Sequence, residues 1–108
     1  MKPLVLSAAA AFTASFAAAS GPLLAADAQE LLKEKACLSC HTLDKKLVGP
    51  AYKEVAAKYK SRKDAESYLV KKIKEGSTGV WGPIPMPPNG TVDDADAKTL
   101  ATYILTIK

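Results

Sequence analysis

The stretch Cys37-Leu38-Ser39-Cys40-His41 decides the interpretation of this chain, because it contains both cysteines and the only histidine of the 108 residues. The pattern C-x-x-C-H is the attachment sequence of a c-type haem. Cysteines three residues apart lie on roughly one face of a helical turn, so both thiols can add to vinyl groups of one porphyrin. The adjacent imidazole can then ligate the iron. The stretch predicts one covalently bound haem c with His41 as an axial ligand.

Two other kinds of site could use a pair of cysteines. A thiol-disulfide redox pair usually lies near a βαβ unit, and the sequence predicts no such unit. A zinc site needs about four ligands, and the chain has no further cysteine or histidine to complete one. A disulfide between Cys37 and Cys40 would close only a small loop and would constrain the unfolded chain little. Covalent haem attachment is therefore the preferred interpretation.

Residues 1–26 have the layout of a cleaved secretory signal peptide. Lys2 is their only charged residue, and a run of apolar and small residues extends from 4 to 19. Gly21-Pro22 interrupts that run, and small residues follow it. An uncleaved membrane anchor is the alternative, since about 20 apolar residues can span a bilayer.

Cleavage is expected after Ala26, with the positions after Ala25 and Ala28 as alternatives. The remaining residues 27–108 suffice for one domain. A domain of this size has a small hydrophobic core, and a buried porphyrin would add apolar surface to it. Export and cleavage predict a periplasmic protein.

The charges of the chain are unevenly distributed, and the formal net charge is +4. Positive charges concentrate between Lys45 and Lys74, whereas Asp93, Asp94 and Asp96 lie together near the C-terminus. The lysines form either a solvated face or a basic patch that steers a negatively charged partner. Nucleic acid is not expected, because no nucleic-acid-binding motif accompanies the charge.

Apolar residues recur at helical spacing in four segments, which predicts an all-α domain of about four helices without strands. The first helix is expected to begin near Asp27, with Glu30 completing a capping box. The third is expected to end at Gly76, and the last to open at Asp93 with Asp96 at its third position. The apolar positions of the last three helices are Tyr52, Val55, Ala56 and Tyr59; Ala65, Tyr68, Leu69 and Ile73; and Ala97, Leu100, Ala101, Ile104 and Ile107.

Met86 is the only methionine of residues 27–108, and it lies in a proline-rich segment. Most methionines fill gaps in a core. Here four prolines restrict the backbone, and a stiff loop can hold a thioether on an iron. Histidine with methionine is an axial pair that raises the reduction potential of a haem. The segment therefore predicts Met86 as the second axial ligand.

From the cysteines to the C-terminal helix, the sequence resembles the small class I bacterial monohaem cytochromes c of the cytochrome c-551 type, the cytochrome c8 family. Two runs carry the resemblance, VGPAYK at Val48 to Lys53 and GVWGPIPMPPN at Gly79 to Asn89. The resemblance implies the class I cytochrome c fold, in which about four helices wrap around one covalently bound haem. It also implies thioether links from both cysteines and axial ligation by His41 and Met86.

The resemblance implies roles for four further residues. The carbonyl of Pro50 is expected to accept a hydrogen bond from the second imidazole nitrogen, which would fix the tautomer and increase the basicity of the ligand. The indole N–H of Trp81 is expected to reach a haem propionate. Lys72 occupies the position of a propionate-binding arginine and keeps the charge without the bidentate fork. The side chain of Asn89 is expected to form a hydrogen bond near the methionine sulfur.

The function that the resemblance implies is one-electron transport, not catalysis. The iron is expected to cycle between Fe(III) and Fe(II) with both ligands retained. Redox partners would dock transiently on a monomer through a small interface. The implied partners are a membrane bc-type complex as donor and a nitrite reductase, peroxidase or terminal oxidase as acceptor. The alternative is a haem enzyme or ligand sensor, such as a small peroxidase, which needs an open iron position.

Overall fold

The computed structural model describes residues 3, 9–11 and 20–108. Its helices are α1 (Ser20–Glu34), α2 (Tyr52–Tyr59), α3 (Ala65–Glu75) and α4 (Asp94–Ile104), with a 3₁₀ turn at Cys37–Ser39. Pairing between extended segments is limited, within these residues, to one isolated antiparallel bridge. The predicted all-α fold of about four helices is confirmed. Most of the predicted signal peptide lies outside the described residues.

Helix α1 begins at Ser20 in the chain of 108 residues, seven residues before the predicted start near Asp27. The leucines and alanines before Asp27 are strong helix formers. Pro22 is accommodated because it lies in the first turn, where a missing N–H breaks no intrahelical hydrogen bond. Asp27 is therefore inside the helix, and it does not form the predicted capping box with Glu30.

The three later helices follow the predicted spacing, except that α4 ends at Ile104, before the predicted position Ile107, and Tyr68 is only partly buried. Helix α3 ends before Gly76, whose φ of +78° is in the range that favours glycine. Helix α4 begins after the predicted N-cap Asp93, whose carboxylate accepts a hydrogen bond of 2.8 Å from the backbone N–H of Asp96. The buried positions are Tyr52, Val55, Ala56 and Tyr59 in α2, Ala65, Leu69 and Ile73 in α3, and Ala97, Leu100, Ala101 and Ile104 in α4.

Helix α4 is the centre of the packing, because it contacts α1, α2 and α3. Its side chain Leu100 is 1% exposed and, like Leu32 of α1, belongs to the hydrophobic core. Within the described part of the chain, no helix combines the length and apolar character that crossing a bilayer requires. Two connecting segments, between α1 and α2 and between α3 and α4, carry the predicted iron ligands.

Candidate haem site

One cavity of about 490 Å³ lies among the helices and the two connecting segments. This volume is within the range of about 300–1,000 Å³ that is usual for small-molecule and cofactor sites. Side chains of α1, α2, α3 and α4 form its apolar walls. The cavity is lined by all eight residues that the sequence singled out: Cys37, Cys40, His41, Pro50, Lys72, Trp81, Met86 and Asn89.

The two thiols are placed at the cavity wall by a tight turn. After α1 the chain reverses at Ala36, whose φ of 59° is in the left-handed region that non-glycine residues seldom adopt. The backbone N–H groups of Cys40 and His41 then both donate to the carbonyl of Cys37, at 3.2 and 3.0 Å. Both cysteines are free and partly exposed. The turn therefore brings both thiols and the following imidazole to one cavity.

The imidazole of His41 has a defined polar partner. Its Nδ1 lies 2.8 Å from the carbonyl oxygen of Pro50, the acceptor that the resemblance implied. With Nδ1 as the donor, the other ring nitrogen keeps a free lone pair, which is the state a metal ligand needs. The hydrogen bond thus selects the tautomer in which Nε2 can ligate.

Two further residues contact the imidazole ring. The ring of Tyr52 stacks on it with a centroid distance of 4.8 Å and an interplanar angle of 21°. Gly49 lies so close that a Cβ there would be 2.5 Å from Cε1 and 2.9 Å from Nδ1 of His41. The segment 49–52 therefore contacts the imidazole at its edge and on its face, in addition to accepting its hydrogen bond.

The backbone of Met86 is fixed by the residues that follow α3. Ser77 and Met86 exchange two backbone hydrogen bonds of 3.0 and 2.9 Å, which form the isolated bridge. Gly76 packs closely against this segment. A Cβ at this position would clash with the carbonyl oxygen of Met86 and lie 2.9 Å from the nitrogen of Pro88. The methionine is thus held at the cavity by its main chain.

Asn89 connects the methionine segment to the end of α1. Its Nδ2 donates to the carbonyl of Lys35 at 2.9 Å, and its backbone N–H donates to the carbonyl of Ile73 at 3.1 Å. Its Oδ1 accepts a hydrogen bond from the hydroxyl of Thr91 at 2.8 Å. The ammonium of Lys35 also donates to the carbonyl of Thr91, at 3.0 Å. In this arrangement the Asn89 amide joins the two ligand-bearing segments of the chain.

Trp81 and Lys72 lie in a part of the cavity wall where lysine ammonium groups pack against aromatic rings. The ammonium of Lys58 is 4.5 Å from the centroid of the Trp81 ring, and that of Lys72 is 5.3 Å from the Tyr68 ring. Cations at these distances are attracted to the ring faces. The two residues predicted to meet the propionates are therefore on a side of the cavity that suits carboxylates.

Burial favours the neutral form of three ionisable side chains of the cavity wall. Burial raises the pKa of the Cys37 thiol, and the nearby Tyr52 hydroxyl opposes this rise. Burial is also the main cause that raises the pKa of Tyr52, and it raises that of Tyr59 to about 12. A redox-active cysteine usually has a lowered pKa, since the thiolate is the nucleophile. The environment of Cys37 thus differs from that of a catalytic thiol.

The residues present fit a c-type haem. The cavity is mainly apolar, and its wall carries two thiols, a tautomerically fixed imidazole and a thioether. Imidazole and thioether are the axial pair of cytochromes c. Within the described residues, no cluster of three or more His, Cys, Asp or Glu side chains could hold a metal ion by itself. The arrangement therefore suits a prosthetic group better than a bare metal.

The sequence did not predict the contacts of Gly49 and Tyr52 with the imidazole. In the sequence Gly49 stands out only as part of the run VGPAYK, and Tyr52 also as an apolar position of α2. A signal was nevertheless present, since Gly49 directly precedes Pro50, the predicted partner of His41, and Tyr52 follows it by two positions.

Comparisons with known proteins show the family of the chain. The family whose sequence profile matches residues 25–108 is described as cytochrome c. The chain is 56% identical over 94 residues to cytochrome c-552 of Nitrosomonas europaea, which covers 84% of this chain and 91% of that protein. It is 53% identical over 95 residues to cytochrome c-551 of Pseudomonas aeruginosa, which covers 83% and 90%.

The fold is similar to solved structures as well. The crystal structure of wild-type Nitrosomonas europaea cytochrome c552 superposes with a TM-score of 0.73 at 57% identity. The match covers 74% of this chain and 99% of that one. Nearly the whole of the compared domain is therefore present here.

Proposed function

Since the chain belongs to the cytochrome c family, we propose that it is a periplasmic one-electron carrier whose haem iron is ligated by His41 and Met86. Its all-α fold is that of the class I cytochromes c. Members of the family carry one covalently bound haem c, and the chain is a small electron-transfer haem protein.

Cys37 and Cys40 would hold the haem by thioether bonds. Each thiol would add across a vinyl double bond: the S–H bond and the π bond would break, one C–S and one C–H bond would form, and nothing would be released. The 3₁₀ turn supports this role because it presents both partly exposed sulfurs to one cavity.

When bound, the haem supplies reversible one-electron chemistry at iron, with a potential that histidine–methionine ligation raises. The chain holds the imidazole through Pro50, whose carbonyl accepts from Nδ1 at 2.8 Å and would increase the basicity of Nε2. The chain holds Met86 through the bridge to Ser77. Because main-chain hydrogen bonds fix both ligand-bearing segments, little needs to rearrange during a transfer.

Trp81, Lys72 and Asn89 would complete the binding of the haem. Trp81 and Lys72 would meet the propionates, and their position beside Lys58 and Tyr68 supports this role. Asn89 would act near the methionine sulfur, and its bonds to Lys35 and Thr91 keep it beside the methionine segment.

A carrier of this kind needs a surface for brief contact with its partners. Val48 and Ile84 line the cavity and are nevertheless 46% and 61% exposed, so apolar surface lies at its mouth. Small interfaces are usual for redox encounters, and the lysines between Lys45 and Lys74 would aid approach. We propose a bc-type complex as donor and a nitrite reductase, peroxidase or terminal oxidase as acceptor, with no catalysis by this monomer itself.

The proposed location rests on the N-terminal sequence. Residues 1–26 would be removed as a signal peptide, which leaves 27–108 as the cytochrome c domain. The match of the family profile to residues 25–108 supports this boundary.

The observation that carries the proposal is that all eight predicted residues line one cavity. The test is the visible and near-infrared absorption spectrum of the matured protein, oxidised and reduced. Sharp low-spin bands after reduction, with a sulfur-to-iron charge-transfer band in the oxidised state, are expected. A high-spin spectrum without that band would favour a small peroxidase or a ligand sensor. Absence of haem absorption, with titratable thiols, would remove the proposal.

A further inference from the structure

The segment Gly49 to Tyr52 surrounds the imidazole of His41 with three different contacts. Gly49 touches the ring edge, Pro50 accepts the hydrogen bond from Nδ1, and Tyr52 stacks on the ring face. The Pro50 contact fixes the tautomer but leaves the ring free to turn about its bond to Cβ within the tolerance of one hydrogen bond. The other two contacts restrict that rotation.

Gly49 acts through the absence of a side chain. A Cβ at this position would be 2.5 Å from Cε1, 2.9 Å from Nδ1 and 3.1 Å from Nε2 of His41. These distances are well below van der Waals contact, which for carbon atoms lies at about 3.5–4.0 Å. Any other residue at 49 must therefore displace either the ring or the backbone.

The backbone at Gly49 cannot move easily. Its N–H donates to the carbonyl of Cys40 at 2.7 Å, and the N–H of Tyr52 donates to the carbonyl of Thr42 at 2.9 Å. These two hydrogen bonds attach the segment to the residues on each side of His41. A collision at Gly49 is therefore expected to turn the imidazole rather than shift the segment.

Tyr52 acts through its ring. The two rings are close to parallel, at 21°, with centroids 4.8 Å apart, which is within the usual range for stacked aromatic pairs. Tyr52 is 5% exposed and begins α2, where its backbone is part of a helix. Its ring is therefore a fixed plane to which the imidazole plane is aligned.

We propose that Gly49 and Tyr52 are positioning residues that set the rotational orientation of the His41 imidazole, separately from the tautomer set by Pro50. The inference rests on the proposed axial ligation by His41. An axial imidazole overlaps different iron d orbitals as its plane rotates, so its orientation determines how unpaired spin is distributed over the porphyrin. Gly49 and Tyr52 would thereby control the electronic asymmetry of the site without touching the iron.

The test uses the intact ferric protein with its haem, and it compares Tyr52→Leu with Tyr52→Phe. The readout is the order and spread of the four haem-methyl proton resonances, which report the orientation of the axial ligands. Tyr52→Leu removes the stacked ring and is expected to change the order or narrow the spread. Tyr52→Phe keeps the ring and is expected to keep the wild-type pattern. Retention of the sulfur-to-iron charge-transfer band would show that Met86 still ligates the iron, and unchanged nuclear Overhauser contacts between the Met86 methyl group and the haem would assign the change to His41.

The matched control is Tyr103→Leu. Tyr103 is a partly buried tyrosine of α4 that packs on the core and bonds to Gln29, and it does not line the cavity. Its substitution should lower the melting temperature while the methyl pattern stays that of the wild type. A changed pattern in this control as well would mean that general loosening produces the effect, and it would overturn the assignment to Tyr52.

Gly49→Ala provides an independent variant if Tyr52→Leu does not mature. It is expected to alter the methyl pattern, and loss of low-spin ligation is the extreme form of the same displacement. Wild-type patterns in both Gly49→Ala and Tyr52→Leu would overturn the inference while leaving His41 as the ligand. A wild-type protein without a low-spin histidine–methionine spectrum would instead refute the proposed function.

Discussion

The segment that carries His41 and the segment that carries Met86 are held in different ways. The imidazole of His41 is contacted directly, by a hydrogen bond to Pro50 and by the ring of Tyr52. For Met86 the hydrogen bonds involve the backbone, through the bridge to Ser77. The difference teaches that the histidine is fixed at its side chain as well as its main chain, whereas the hydrogen bonds at the methionine fix its main chain. The methionine is therefore the ligand that we expect to be displaced first.

The largest effect is expected from breaking the histidine segment with Cys40→Ala. One thioether link would be lost, and a domain with so thin a core is expected to lose stable haem binding and, with it, most of its folded structure. Haem absorbance per protein after denaturing extraction and far-ultraviolet circular dichroism measure the two losses. Ser39→Ala, in the same turn, is the control and should keep both signals. A well-folded, haem-free Cys40→Ala protein would show that the cofactor is not structural.

A smaller effect, confined to the iron, is expected from Met86→Ala. The haem should stay attached, because neither thioether nor His41 is touched. The reduction potential is expected to fall by at least about 0.1 V, since axial ligands set haem potentials over a range of about 0.8 V. Voltammetry and titration with an exogenous ligand such as cyanide measure the change. Ile84→Ala, an exposed residue of the same segment, should leave the potential near that of the wild type, and an unchanged potential in Met86→Ala would remove it as the ligand.

The smallest expected effect is a difference in the free energy of unfolding between alanine variants of two glycines in the methionine segment. Gly76 and Gly79 have nearly equal positive φ angles of 78° and 74°, which an alanine at either position is expected to adopt only at a cost of about 1–3 kcal/mol. Only at Gly76 would the added Cβ collide with the Met86 carbonyl and lie 2.9 Å from the Pro88 nitrogen, whereas Gly79 has open space. Gly76→Ala is therefore expected to lose a further 1–3 kcal/mol or so from overpacking.

Chemical denaturation of the two alanine variants measures this difference. The sulfur-to-iron charge-transfer band should weaken in Gly76→Ala and stay intact in Gly79→Ala. Equal losses of stability, with the band intact in both, would mean that the backbone beneath Met86 does not hold the ligand.

The parts of the fold that the sequence predicted well are those set by local patterns. Helices α2, α3 and α4 follow apolar spacing, and the N-cap at Asp93 follows from the residue types around it. In the chain of 108 residues α1 starts seven residues before Asp27, because the leucines and alanines there favour helix, and the proposed cleavage after Ala26 would remove those residues. Local signals predict an element well and its first residue less well.

The site was predictable in its members and less so in their contacts. The spacing of Cys37, Cys40 and His41 predicts one shared cofactor, and the prolines around Met86 indicate a stiff segment that could present it as a ligand. The stacking of Tyr52 on His41 depends on how the chain folds back at Gly49 and Pro50, and no periodicity encodes that reversal. The hydrogen bond of Asn89 to the carbonyl of Lys35 is likewise a product of the assembled helices.

The hydrogen bond between Asn89 and Lys35 also has a consequence for the order of assembly. Its two residues are 54 positions apart in the chain, whereas His41 and Pro50 are separated by nine. Closing a longer loop costs more chain entropy and slows the formation of contacts. During maturation we therefore expect short-range contacts to organise the thiols and the imidazole first. The methionine segment is expected to close the other wall of the cavity as a late step.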